Sequence, residues 1–139
     1  MAKGWHLECG GGPADREIAE FFAGDVFDAH AHLYRRADCG AAAPSLIRDG
    51  PERAGVAEWR LAMQTFFGAG EGRGGLFLPY PARGVDPELP NRSLVADLGA
   101  DASLRGGLLV APSSSRGRLE EQLADRRIVA LKPYHVYAP

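Results

Sequence analysis

The sequence contains no long apolar run and no strong excess of charge of either sign. No stretch approaches the ~18 consecutive apolar residues of a membrane span. The first residues, MAKGWHLECGGGP, lack the apolar core of a secretory signal peptide. The formal net charge of -2 gives no electrostatic reason to expect nucleic acid or an anionic membrane as a partner. We therefore expect a cytoplasmic protein that binds neither nucleic acid nor a membrane.

Cysteine is also scarce. The two cysteines, Cys9 and Cys39, form neither a C-x-x-C pair nor a disulfide framework, so free thiols are expected. A phosphate-binding loop is not expected, because the glycines of CGGGP follow no strand and precede no Lys-Ser/Thr pair. With 139 residues, 45% hydrophobic and 24% charged, the composition is that of a folded domain with a hydrophobic core.

Four short apolar runs are predicted to be strands. They are DVFDAH, GGLFLPYP, GGLLVAP and RIVALKP. The unbroken LLV and IVAL runs favour strands that are buried on both faces. Helical patterns lie between the runs, and this alternation predicts an α/β fold with a parallel sheet.

The helices are predicted from apolar periodicity and from start and stop signals. One is expected over 51–70, one from a cap at Asn91 to a stop at Gly99, and one after serines 113–115. The first of these carries an apolar stripe of Val56, Trp59, Met63 and Phe66. Residues 1–24 are expected to form an N-terminal arm and a short helix, residues 25–139 the main unit, and 39–50 a long loop.

A pair of histidines separated by one residue is the strongest functional signal. In GDVFDAHAHLYRR, His30 and His32 follow the apolar start of the first predicted strand. Side chains two residues apart on a strand point to the same face, so both imidazoles can converge on one metal ion. Asp28 has the same parity and is a candidate for an outer acceptor that orients a ring, with a solvent-facing carboxylate as the alternative. Two ordinary histidines on a strand are the alternative interpretation of the pair.

Further titratable residues stand at the end of the fourth apolar run. Lys132 lies at its carboxyl end, and His135 follows three residues later. Functional groups of α/β sheets collect at the carboxyl ends of parallel strands, so both residues are candidates for a third ligand. A solvated lysine and an ordinary loop histidine are the alternatives.

With these residues in view, VFDAHAHLY resembles the first-strand motif of the amidohydrolase superfamily, in particular its amidohydrolase-2 (amidohydrolase-related) branch. The resemblance extends to IVALKPYHVYA at the fourth strand. It implies a partial TIM (β/α)8 barrel of about four β/α units, the N-terminal half of the fold. It also implies a divalent metal, zinc or manganese, that activates water for attack on a carbonyl-type centre of a small-molecule substrate. Some relatives decarboxylate instead, and TatD-type nucleases share a similar first-strand motif.

The resemblance assigns roles to few positions. His30 and His32 match the two first-strand metal ligands, and Lys132 matches the place where some members carry a bridging carboxylated lysine. The family's other ligands are histidines after the fifth and sixth strands and a catalytic aspartate after the eighth. A full barrel takes ~250 residues, and this sequence has no counterpart of those strands. We therefore expect an N-terminal fragment of a metal-dependent hydrolase that is inactive alone.

Two other functions stay open. One is a non-catalytic α/β binding or interaction module in which the histidines are structural. The other is a fragment of a TatD-type metal-dependent nuclease. A sheet of four barrel strands also has open edges, which are candidate surfaces for a homo-oligomer.

Overall fold

The structure, a computed structural model, describes residues 17, 20, 26–67 and 74–134. Its strands are β1 (Phe27–Arg35), β2 (Arg53–Ala54), β3 (Gly74–Pro79), β4 (Leu104–Val110) and β5 (Ile128–Pro133). Its helices are α1 (Ser45–Arg48), α2 (Val56–Phe67), α3 (Glu88–Leu98) and α4 (Arg116–Leu123), with a 3-10 helix at Arg36–Cys39. Within these residues, no helix has the length and apolar character needed to cross a bilayer.

The strands form one sheet in the order β2-β1-β3-β4-β5. β1, β3, β4 and β5 are parallel to one another, whereas the short β2 pairs antiparallel with Tyr34 and Arg35 at the end of β1. The four parallel strands are the four apolar runs of the sequence. The predicted α/β fold and parallel sheet are therefore confirmed.

One hydrophobic core joins the sheet to α2, α3 and α4. It is formed by Leu33, Val56, Trp59, Phe77, Leu94, Leu98, Leu104, Leu108, Leu119 and Ile128. Phe77 and Leu108 are 0% exposed, and full burial of such a side chain stabilises the fold by roughly 1.5–3 kcal/mol. Ala31 and Leu33 of β1 contact this core, so the alternate residues His30 and His32 point to the opposite face of the sheet.

The helix predicted over 51–70 begins later, at Val56. Arg53 and Ala54 pair with β1 as β2. The Gly55 amide then donates to the Glu58 carboxylate at 2.7 Å. This bond is one half of a capping box, in which the third helical residue returns to the cap. Pro51 therefore precedes the helix by several residues instead of starting it.

α3 begins before the predicted cap at Asn91. The Asp86 carboxylate accepts the Glu88 amide at 3.0 Å and so serves the start of the helix. Asn91 lies inside the helix and is 1% exposed. Its Nδ2 donates a hydrogen bond to the Leu109 carbonyl oxygen, and its Oδ1 accepts one from the Leu109 backbone amide, both at 2.9 Å. The cap prediction is wrong because this amide is bonded to β4, while the predicted stop at Gly99, with a φ of 56°, is confirmed.

The side chains of the central strand β4 are more deeply buried than those of the edge strand β5. Leu108 and Leu109 of β4 are both 0% exposed, as the LLV run predicts. In β5, however, Val129 and Leu131 are 56% and 46% exposed. The prediction that β5 is buried on both faces is wrong: α4, the helix before β5, has no buried residue, and the side chains of Val129 and Leu131 stay exposed.

The segment 39–50, predicted to be a loop, contains helix α1. Cys39, Ala43 and Ile47 form a second small core there with Ala82. Cys39 is a free thiol, as predicted, and burial raises its pKa.

Several predicted features lie outside the described residues. They are Cys9, the Phe66 side chain, His135, and the helix predicted before Gly24 except for Glu17 and Glu20, which are helical.

Candidate functional site

The histidine pair lies where β1 runs beside β3. His32 pairs with Leu78, and parallel pairing ends one residue later, where Leu33 faces Pro79. β1 itself continues to Arg35, along β2. The two histidines therefore stand near the carboxyl end of the parallel part of the sheet, although not at the end of their strand.

Lys132 reaches this pair from β5. Three strand spacings, about 14 Å, separate β5 from β1. The ammonium Nζ of Lys132 is nonetheless 3.2 Å from Nε2 of His30. Gly107 leaves room on the intervening face, since a Cβ there would lie 2.5 Å from Cδ2 of Leu78 and 3.2 Å from the Cβ of Ala130. The structure thus brings Lys132 to the histidine pair, as the strand-end argument predicts.

Three nitrogen atoms form the centre of this site. Nε2 of His30 lies 3.2 Å from both Nε2 of His32 and Nζ of Lys132. Nδ1 of His32 lies 3.1 Å from the Pro79 carbonyl oxygen and donates to it, because a carbonyl oxygen can only accept. The neutral His32 ring therefore carries its free lone pair on Nε2, the atom that faces His30. Fixing of the ring by an outer acceptor is typical of metal-binding histidines.

The surroundings of His32 favour its neutral form. Burial lowers the pKa of the His32 imidazole below its usual 6.5, and the charges of Lys132 and His30 lower it further. The hydrogen bond to Pro79 acts in the opposite direction but does not reverse the shift. The Tyr80 ring meets His32 edge-on, with centroids 5.8 Å apart. A neutral imidazole with a fixed tautomer is the form that binds a metal.

Asp28 holds the backbone of His30 instead of a ring. The register of β1 against β3 shifts between Asp28 and Ala31, so the predicted common parity with the histidines does not hold. Oδ1 of Asp28 accepts the His30 amide at 3.0 Å, and Oδ2 accepts the indole N–H of Trp59 at 2.9 Å. The acceptor that orients a ring is the Pro79 carbonyl. Neither this backbone atom nor the role of Trp59 has a signal in the sequence.

An aromatic ring also lies beside Lys132. The Nζ of Lys132 is 5.4 Å from the centroid of the Tyr134 ring, within the range of a cation–π interaction. His135, the other candidate third ligand, lies outside the described residues.

The histidine pair fits one half of a metal site. Two imidazole nitrogens bound to one tetrahedral zinc at about 2.0–2.1 Å would lie ~3.3 Å apart. The two Nε2 atoms are 3.2 Å apart. Within the part of the chain that the structure describes, no group of three or more His, Cys, Asp or Glu side chains is arranged to hold a metal. The described donors are therefore two histidines with a lysine beside them, fewer than the three protein ligands of most catalytic zinc sites.

Fold and site together define an α/β domain with a histidine pair near the carboxyl end of a parallel sheet. Comparison with family models, with curated proteins and with solved structures finds no match.

Proposed function

We propose that this chain is the N-terminal half of a metal-dependent hydrolase barrel of the amidohydrolase type, with His30 and His32 as ligands of a divalent ion, zinc or manganese. The proposal depends chiefly on the 3.2 Å between the two Nε2 atoms, with the lone pair of His32 facing His30. A bound divalent ion would supply Lewis-acid activation of water for attack on a carbonyl-type centre. The substrate of the complete enzyme would be a small molecule.

The construction of the sheet supports a barrel. In a barrel, parallel strands follow one another in chain order and the helices lie on the outer face, whereas a doubly wound sheet has helices on both faces. Here the parallel strands follow chain order, and α2, α3 and α4 share one core on one face. The contact of Lys132 with His30 across three strand spacings favours a sheet that curls toward the histidine face.

The chain's own groups have distinct roles in this proposal. His30 and His32 bind the ion through Nε2, and the Pro79 carbonyl fixes the tautomer of His32. Lys132 provides positive charge beside the site, which attracts an anionic or carbonyl oxygen of a substrate. The general base and the other ligands would belong to later strands of the barrel. The chain alone is therefore expected to bind metal without turnover.

The proposal is tested by metal titration of the full 139-residue chain after treatment with a chelator. Zinc at 100 times its Kd should stabilise the fold by about 2.7 kcal/mol, which corresponds to a rise in Tm of roughly 5–10 °C. His30→Ala and His32→Ala should each abolish this rise. His6→Ala, which leaves the pair intact, should retain it. His135→Ala decides whether the remaining candidate ligand contributes.

A wild-type Tm that does not respond to zinc or manganese would contradict the metal site. The Lys132–His30–His32 contacts would then favour the second candidate function, a non-catalytic module in which these side chains form a metal-free polar network. In that case, His30→Ala should lower the Tm of the metal-free chain.

A further inference from the structure

A bulge in β1 sets the direction of the His30 side chain. Asp28 pairs with Gly75 and Ala31 pairs with Phe77, so β1 has one residue more than β3 between these pairs. An extra residue of this kind changes the face on which the flanking side chains stand. Asp28 can therefore meet Trp59 of α2 on the helix side of the sheet, while His30 meets His32 on the opposite side.

The carboxylate of Asp28 connects the two sides. Oδ1 accepts the backbone amide of His30 at 3.0 Å, and Oδ2 accepts the indole N–H of Trp59 at 2.9 Å. Trp59 is itself held by an edge-to-face contact with Phe77, with ring centroids 4.9 Å apart. A continuous series of contacts thus leads from helix α2 through Asp28 to the backbone of His30.

We infer that Trp59 and Asp28 are positioning residues, which hold the bulge and thereby aim His30 at the metal. The inference rests on the proposed function, in which His30 is a ligand. Without the Asp28 acceptor, the His30 amide loses this hydrogen bond, and regular pairing of β1 with β3 becomes competitive. A one-residue slip in register turns His30 toward the core face. In this role, Trp59 and Asp28 act through His30 and touch neither metal nor substrate.

The test compares zinc binding by Trp59→Phe and Asp28→Ala with binding by the wild-type chain, using calorimetric titration. Trp59→Phe removes the indole N–H but keeps an aromatic ring against Phe77, whereas Asp28→Ala removes both acceptor atoms. Each should raise the zinc Kd by about 10–100-fold, the range seen on loss of an outer-shell partner. Asp28→Asn keeps one acceptor oxygen and should lose less affinity than Asp28→Ala. The visible spectrum of the cobalt-loaded variants should also change, because the coordination geometry changes.

Leu119→Ala is the matched control. Leu119 packs against the same core from α4, so its truncation lowers stability without contact with the bulge. It should lower the Tm and leave the zinc Kd and the cobalt spectrum unchanged. A lower Tm with an unchanged zinc Kd and cobalt spectrum in folded Trp59→Phe and Asp28→Ala would overturn the inference, because it would show that these residues support the fold and not the ligand.

Hydrogen exchange of the His30 amide gives a readout without metal. Loss of the Asp28 hydrogen bond should speed this exchange by about tenfold in Asp28→Ala. Faster exchange with an unchanged zinc Kd would overturn the inference, since the bond would then matter to the strand alone. If zinc binds the wild-type chain and all variants equally, the inference fails and the proposed function stands. If the wild-type chain binds no zinc, the proposed function itself fails, together with the metal role inferred from it.

Discussion

At the scale of single residues, the Lys132 ammonium is expected to oppose metal binding. Its Nζ lies 3.2 Å from the His30 nitrogen that would hold the metal. Charges of +1 and +2 about 4 Å apart repel by ~2 kcal/mol even at the dielectric constant of water. Lys132→Met keeps most of the side-chain length and removes the charge. It should therefore lower the zinc Kd by about 10–30-fold, as measured by calorimetric titration.

Arg126→Met is the control for this change. Arg126 is exposed and precedes β5, so its substitution removes a positive charge of the same strand region without changing the nitrogen cluster. Its zinc Kd should equal that of the wild-type chain. Weaker binding by Lys132→Met would contradict the prediction and would indicate that Lys132 donates to the metal, as an amine or in carboxylated form.

The residue pattern predicted the histidine pair of the site. It contained no information about the partners of His32 and Asp28. The H-x-H spacing implies a shared face because strand periodicity is a local property. The Pro79 carbonyl meets His32 from 47 residues away, and Trp59 meets Asp28 from 31 residues away. Contacts of this kind arise from the packing of strands and helices, and they cannot be predicted from the residue types alone. The parity assigned to Asp28 failed because residue types do not mark a bulge.

At the scale of elements, Asn91 joins α3 to β4 beyond the last paired residues of β3 and β4. The paired register of β3 with β4 reaches Phe77 and Gly106. Asn91 supplies one donor and one acceptor to Leu109 beyond that point. Asn91→Ala leaves both backbone groups of Leu109 without these partners. At 1–3 kcal/mol for each of the two unsatisfied groups, we expect a loss of about 2–6 kcal/mol in the free energy of unfolding, measured by urea denaturation.

Arg92→Ala tests whether this loss is specific to the buried amide. Arg92 is the next residue of the same helix and is exposed. Its substitution should change the free energy of unfolding by less than about 0.5 kcal/mol. Similar losses in the two variants would refute the bridging role of Asn91 and would point to a general weakening of α3.

Element types followed from local sequence more closely than element boundaries did. Apolar runs with turn signals identified the four parallel strands of the described sheet. The start of α3 was misplaced because Asn91 is a good capping residue that is used instead for a contact with β4. The exposure of Val129 and Leu131 was missed for a related reason. Burial of an apolar run depends on the elements that pack over its faces, which the run itself does not specify.

At the scale of the whole molecule, the sheet has two unlike edges. At one edge, β2 contributes only two residues, which include the charged Arg53. Short and charged edge strands resist pairing with another sheet. At the other edge, β5 has six residues, and no described strand covers it. β5 is the fourth parallel strand. In the proposed barrel, the next parallel strand of the complete enzyme would pair with its outer edge.

The β5 edge, which no described strand covers, predicts self-association of the chain through this strand. Leu131, 46% exposed on this strand, is expected to be buried in such a contact. Leu131→Lys should therefore raise the dissociation constant by about tenfold or more in sedimentation equilibrium, since it replaces an apolar contact with a charge. Leu61→Lys is the matched control, because Leu61 is 64% exposed but lies on α2. Equal dissociation constants for the two variants would rule out β5 as the contact, because a general effect of added charge would act on both alike.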